Sequence, residues 1–122
     1  MRVLYFDCFS GISGDMTLAA LADAGADREY IEQELSKIPF ERFELQWKQV
    51  NKKGITALKL DVILHPEEKP VHHRHYSEIK AMINETDFHP QVKAYSHAIF
   101  EKIAKAEAKI HGVSMDNVHF HE

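Results

Sequence analysis

Phe43-Glu44-Leu45-Gln46-Trp47-Lys48 and, a few residues on, Leu58-Lys59-Leu60-Asp61-Val62-Ile63-Leu64 carry the clearest structural signal in this chain. Phe43, Leu45 and Trp47 alternate with Glu44, Gln46 and Lys48, and Leu58, Leu60, Val62 and Leu64 alternate with Lys59, Asp61 and Ile63. A period of two puts one face of a strand on a core and leaves the other wet. Asn51-Lys52-Lys53-Gly54 supplies turn residues between the two runs, so an antiparallel hairpin is expected here.

Outward from the hairpin the period changes to that of helices. Upstream, Ile31, Leu35 and Ile38 form an apolar stripe that Pro39 stops, with Asp27 in capping position. Asp15 to Ala24 is rich in Ala, Leu and Met and reads as a helix closed by Gly25. Arg2 to Phe6 is a short apolar run ending at Asp7, expected as a buried first strand. Downstream, His65 to His75 reads as an exposed loop, and Ser77 is placed to cap a short helix carrying Ile79, Met82 and Ile83. Pro90 opens a long helix to about Ile110, whose stripe Val92, Tyr95, Ile99, Ile103, Ala106 and Ile110 is expected on the core. Gly112 ends it, and Val118-His119-Phe120-His121-Glu122 has the alternation of a last strand. The order implies an α+β fold: a small mixed or antiparallel sheet with helices on one face, split βαβ-like, with helix pairs as crossovers. With no repeat or linker, residues 1–122 are read as a single domain.

Composition narrows the functions. The 122 residues are 44% hydrophobic and 28% charged, which suits a globular domain. A net charge of −4 and no basic stripe interleaved with aromatics give no footing for nucleic acid. No apolar run reaches the roughly 18 residues of a membrane span, and the start meets Asp7 too early for a signal peptide. Cys8 is the single cysteine, so no internal disulfide forms and a cytoplasmic setting is expected. Nine histidines, unevenly spread, point to imidazole chemistry.

Two kinds of site are legible. Cys8-Phe9-Ser10-Gly11-Ile12-Ser13-Gly14-Asp15 joins strand to helix, and its glycines and helix start can cradle an anion, with Asp7 and Asp15 at its borders. The competing reading is a plain strand-to-helix turn in which Asp15 favours the helix dipole. A phosphatase with Asp7 as nucleophile is set aside, because Phe9 occupies the position of the required acid/base group. Cys8 is read as a small hydrophobe rather than a metal ligand.

The histidines form two clusters. His72-His73-Arg74-His75 offers up to three nitrogen ligands, against the reading of a solvated loop with weak metal affinity. His119 and His121 would project from one face of a strand, with Glu122 adding a hard oxygen, against a buried hydrogen-bonding role. Were both clusters to meet, they would give up to five nitrogen ligands. His65, His89, His97 and His111 stand singly and are assigned to caps, surfaces and ordinary hydrogen bonds.

Three stretches together, Asp7-Cys8-Phe9-Ser10-Gly11-Ile12-Ser13-Gly14-Asp15-Met16, the His72–His75 loop, and Ile110-His111-Gly112-Val113 with Val118-His119-Phe120-His121-Glu122, resemble the LarC-like nickel-insertion proteins. The resemblance covers the whole chain and the N-terminal part of a longer family pattern. It implies delivery of Ni(II) to pyridinium bisthiocarboxylate mononucleotide, forming the nickel-pincer nucleotide cofactor of lactate-racemase-like client enzymes. It implies a chelatase, a lyase-type activity coupled to CTP hydrolysis, with CTP and Mg or Mn belonging to the family's C-terminal half, itself an expected partner. By position, Asp7, Ser10, Gly11, Gly14 and Asp15 match the opening motif, with a structural or phosphate-related role and Asp7 and Asp15 as catalytic candidates. His119, His121 and Glu122 match the second motif as ligands, and His72, His73 and His75 match in composition. A reading from another class is a non-catalytic, histidine-rich metal-buffering or interaction module.

Overall fold

The computed structural model describes residues 1–67 and 74–120. Its longest strands are the expected hairpin, β1 (Phe43–Lys52) and β2 (Ile55–Leu64), paired antiparallel from Phe43↔Leu64 to Lys52↔Ile55. The turn is tighter than the sequence suggests. Only Lys53 and Gly54 lie between the strands, both at positive φ (53° and 87°), the backbone that matches strand twist in a two-residue loop. Asn51 Oδ1 accepts the Gly54 N–H at 3.0 Å and closes it. The register puts Phe43, Leu45 and Trp47 opposite Leu64, Val62 and Leu60 on one face. On the other, Asp61 bridges Lys48 at 3.0 Å and Lys59 at 2.9 Å.

Two helices precede the hairpin. α1 (Gly14–Asp23) lies along β2, and Ala19, Ala22 and Leu60 are buried. The helix ends into Gly25 at φ 108°, as its sequence implied. α2 (Arg28–Leu35) is capped by Asp27, whose carboxylate accepts from Glu29 and Tyr30 N–H, and Glu32 of α2 accepts from Trp47 Nε1 at 2.7 Å.

The second half packs around a different core. β3 (Arg74–His75) runs directly into α3 (Tyr76–Glu85), and α4 (Pro90–His111) follows. A 3₁₀ turn (Met115–Asn117) leads into β4 (His119–Phe120), which pairs antiparallel with β3. Tyr76, Ala104 and Val118 form the buried cluster, with Phe100, Ala108, Met115 and Phe120 against it. His89 caps α4 by accepting the Gln91 N–H at 3.2 Å, and Gly112 ends it in the left-handed region. None of the helices among the described residues is long and apolar enough to cross a membrane.

The α+β class holds, with antiparallel pairing throughout the described residues, but several expectations are corrected. The run Arg2–Phe6 forms no strand, and Val3, Leu4 and Tyr5 are exposed. A strand needs a neighbour's N–H and C=O groups, and among the described residues the ladders are β1–β2 and β3–β4 only. The split βαβ-like sheet is therefore two separate two-stranded pairs. Cys8, expected as a buried hydrophobe, is exposed with this segment. Arg74 and His75, expected in a loop, form a strand, and the α3 cap is His75 rather than Ser77.

The largest correction is on α4. Val92, Tyr95, Ile99, Ile103 and Ile110 are exposed, Ile110 at 74%, while the neighbouring face with Phe100, Ala104 and Ala108 meets the core. Small alanines let α4 approach α3 and the 3₁₀ turn closely, and the larger side chains are rotated outward. The accessible area, 9646 Å², exceeds the roughly 6,700 Å² of a compact chain of this mass.

Candidate metal centre

The β3–β4 pair brings one residue from each histidine cluster together. His75 pairs with His119 across the ladder, and their ring centroids are 4.0 Å apart with planes tilted by 45°. The alternation of β4 explains the outward aim of His119. Val118, 2% exposed, and Phe120 sit in the core, so the residue between them faces the other way. On the other strand Tyr76 enters the core directly after His75, and its N–H bonds the Val118 carbonyl at 3.0 Å, extending the pairing by one bond. Phe120 meets Tyr76 and Phe100 edge to face, with centroids 6.2 and 5.8 Å apart. The Glu78 carboxylate accepts the His75 N–H at 3.0 Å, fixing the start of α3.

Two imidazoles in this relation can serve one ion. With metal–nitrogen bonds of about 2.1 Å, two imidazoles bound at right angles to one ion would have ring centres about 4.6 Å apart. The observed centres are 4.0 Å apart, so joint ligation requires the two rings to turn slightly away from each other. His75 is half-buried and His119 exposed, so an ion could arrive from solvent and leave again. His72, His73, His121 and Glu122 lie outside the described residues. Among the described residues no three His, Cys, Asp or Glu side chains converge as a metal-holding group.

The single histidines take the ordinary roles assigned to them. His97 Nε2 is 2.8 Å from Asn84 Oδ1, His111 Nε2 is 3.1 Å from Glu107, and His65 Nδ1 accepts from Glu67 N–H at 3.4 Å. His89 caps α4.

The glycine loop has a definite local structure. Gly11, at φ 82°, returns its N–H to the Cys8 carbonyl at 3.0 Å, and Gly14 opens α1. The Asp15 carboxylate accepts from the Ser13 hydroxyl and from the Met16 N–H. The Ser13 bond, then the Met16 bond, hold its carboxyl below the usual carboxylate range. Asp7 and Ser10 are exposed. Asp15 thus contributes to the start of α1, favourable for a negative charge there.

Sequence reasoning missed the contacts made next to the histidine pair by Arg74 with Glu41 and Phe40. Arg74 binds Glu41 at 2.6 Å and lies over the Phe40 ring at 3.6 Å. The Arg74–Glu41 contact crosses 33 residues of chain, so no local spacing could have signalled it.

Comparison with known proteins agrees with the motifs. The chain is 50% identical over 129 residues to the pyridinium-3,5-bisthiocarboxylic acid mononucleotide nickel insertion protein of Geobacillus kaustophilus, covering 100% of this chain and 31% of that protein. The protein of the same name from Staphylococcus saprophyticus is 47% identical over 119 residues, covering 98% of this chain and 30% of its own length. That of Desulfitobacterium hafniense is 46% identical over 122 residues, again covering 30% of the relative. This chain therefore spans less than a third of the length of these relatives. No solved structure matches it. Residues 4–122 match the family described as nickel insertion protein, and the chain belongs to that family.

Proposed function

We propose that this chain is a nickel-holding domain, the N-terminal part of a protein that inserts nickel into pyridinium bisthiocarboxylate mononucleotide. The observation that carries the reading is the His75–His119 pair, one histidine from each cluster, directly opposed on a ladder that the core supports. His72, His73, His121 and Glu122, adjacent in sequence, complete the proposed ligand set. Nickel is cargo here. Neutral imidazoles hold Ni(II) reversibly, and the thiocarboxylate sulfurs of the substrate, being softer donors, take it over. Chelatase turnover, CTP and Mg or Mn are assigned to the family's remaining length, the domain's partner, and the finished cofactor to a lactate-racemase-like client in the cytoplasm.

Isothermal titration calorimetry of the metal-free chain tests the reading. Micromolar or tighter Ni(II) binding is expected near pH 7.5. It should weaken at pH 5.5, because imidazole binds metal only when deprotonated and its ordinary pKa is about 6.5. The double variant His75→Ala/His119→Ala should lose at least about 10-fold in affinity, since removing the ligands costs no less than removing a group that orients one. Unchanged binding in that variant would refute the site. Equal uptake of nickel, zinc and copper, with no nickel transfer to the thiocarboxylate nucleotide by the full-length protein, would favour a metal-buffering module instead.

A further inference from the structure

We infer that Arg74, clamped by Glu41 and Phe40, is a positioning residue that presents His75 to His119. The inference rests on the metal reading above and adds residues that neither the histidine motifs nor the family match assigns.

Directly opposed residues in an antiparallel pair share a face, and neighbours along a strand take opposite faces. Arg74 pairs with Phe120, and His75 with His119. One face of this two-residue ladder therefore carries Arg74 and Phe120, and the other carries the two imidazoles. The first face is anchored at both strands. Phe120 is held by Phe100 and Tyr76. Arg74 is held by the 2.6 Å ion pair with Glu41 and by its position 3.6 Å over the Phe40 ring. Both members of the ion pair are about one-fifth exposed, so the contact is partly shielded from solvent.

A ladder of two residue pairs has little register strength of its own. On β4, Val118 and Phe120 fix the orientation by entering the core. On β3, Arg74 anchors the same face on the side of His75 away from Tyr76, which enters the core as the first residue of α3. The ion pair also offsets the effect of the guanidinium charge on the site. A lone cation beside two metal-binding imidazoles would repel Ni(II), and the Glu41 carboxylate neutralises it. The clamp further ties the segment before β1 to β3, alongside the Lys37 Nζ bond to the Asp87 carbonyl at 3.1 Å.

Two readouts test the clamp, one with metal and one without. Arg74→Met removes the charge at similar length, and Glu41→Gln removes the partner without touching β3. Both should weaken Ni(II) binding about 10-fold, the cost typical of groups that orient a metal ligand, and shift the ligand-field absorption of the bound ion. Arg74→Lys, which retains the charge, should recover part of the affinity. In metal-free protein, ring-proton NOEs between His75 and His119 are expected in the parent chain and weakened in both variants. If Arg74→Met fails to fold, Glu41→Gln decides. NOEs of parental strength in the folded variants overturn the clamp whatever nickel does. A parent chain that shows the NOEs but takes up no nickel overturns the metal reading and leaves the clamp standing.

Discussion

The two strand pairs among the described residues are built on opposite principles. β1 and β2 are neighbours in sequence, joined by two residues and paired over ten positions, so the hairpin closes at small entropic cost. β3 and β4 pair over two positions and are separated by α3, α4 and the 3₁₀ turn. Their own hydrogen bonds cannot hold them, and the core of Tyr76, Ala104 and Val118 does. The local pair supplies stability. The distant pair, resting on side chains from elsewhere, displays the histidines.

This contrast can be broken from either side. The largest effect on stability should come from Leu60→Ala. Leu60 is 1% exposed, and its truncation should cost about 2–5 kcal/mol in chemical denaturation. In protein still folded, nickel affinity should be unchanged, because Leu60 lies outside the Tyr76, Ala104 and Val118 cluster that supports β3 and β4. A parallel loss of nickel binding would show that the two pairs are not separable.

Ala104→Leu should do the reverse. Ala104 is 0% exposed beneath the second pair, and the larger side chain should cost about 1–3 kcal/mol by overpacking. Despite the smaller stability loss, nickel affinity should fall, since the added volume displaces Val118 or Tyr76 and with them the two imidazoles. Retained affinity would mean that the histidine pair does not depend on this core.

The smallest effect sharpens the account of the hairpin's wet face. Lys59, then Lys48, hold the Asp61 carboxyl below its usual range, through hydrogen bonds and charge. A depressed carboxylate contributes stability above its unfolded pKa, and the contribution is lost as pH falls through the lower, folded value. Asp61→Asn should therefore be slightly less stable than the parent at pH 7, by thermal melting. The difference should shrink as the pH drops below about 4, the ordinary carboxylate range. A difference that persists undiminished in acid would assign the effect to packing.

How much could be read in advance follows the same division. Alternation in Phe43–Trp47 and Leu58–Leu64 was sufficient because both halves of that pairing lie within one short segment. Asp27, His89, Gly25 and Gly112 were readable because caps depend on residues one or two positions away. The α4 stripe misled because periodicity reports that a face is apolar, not which apolar face the core receives. Phe100, Ala104 and Ala108 offered a closer approach than Ile99 and Ile103. Arg2–Phe6 misled because strand propensity does not provide a partner strand.

By itself, the sequence determined the helical segments, the hairpin and the family to which the chain belongs, since each rests on short-range pattern or on motif. Only the tertiary structure decided that His75 faces His119, that Arg74 reaches Glu41 and Phe40, and that the large side chains of α4 face outward. Those outcomes depend on which distant surfaces pack together. That selection is made by the summed volume and shape of a core, which no single window of residues contains.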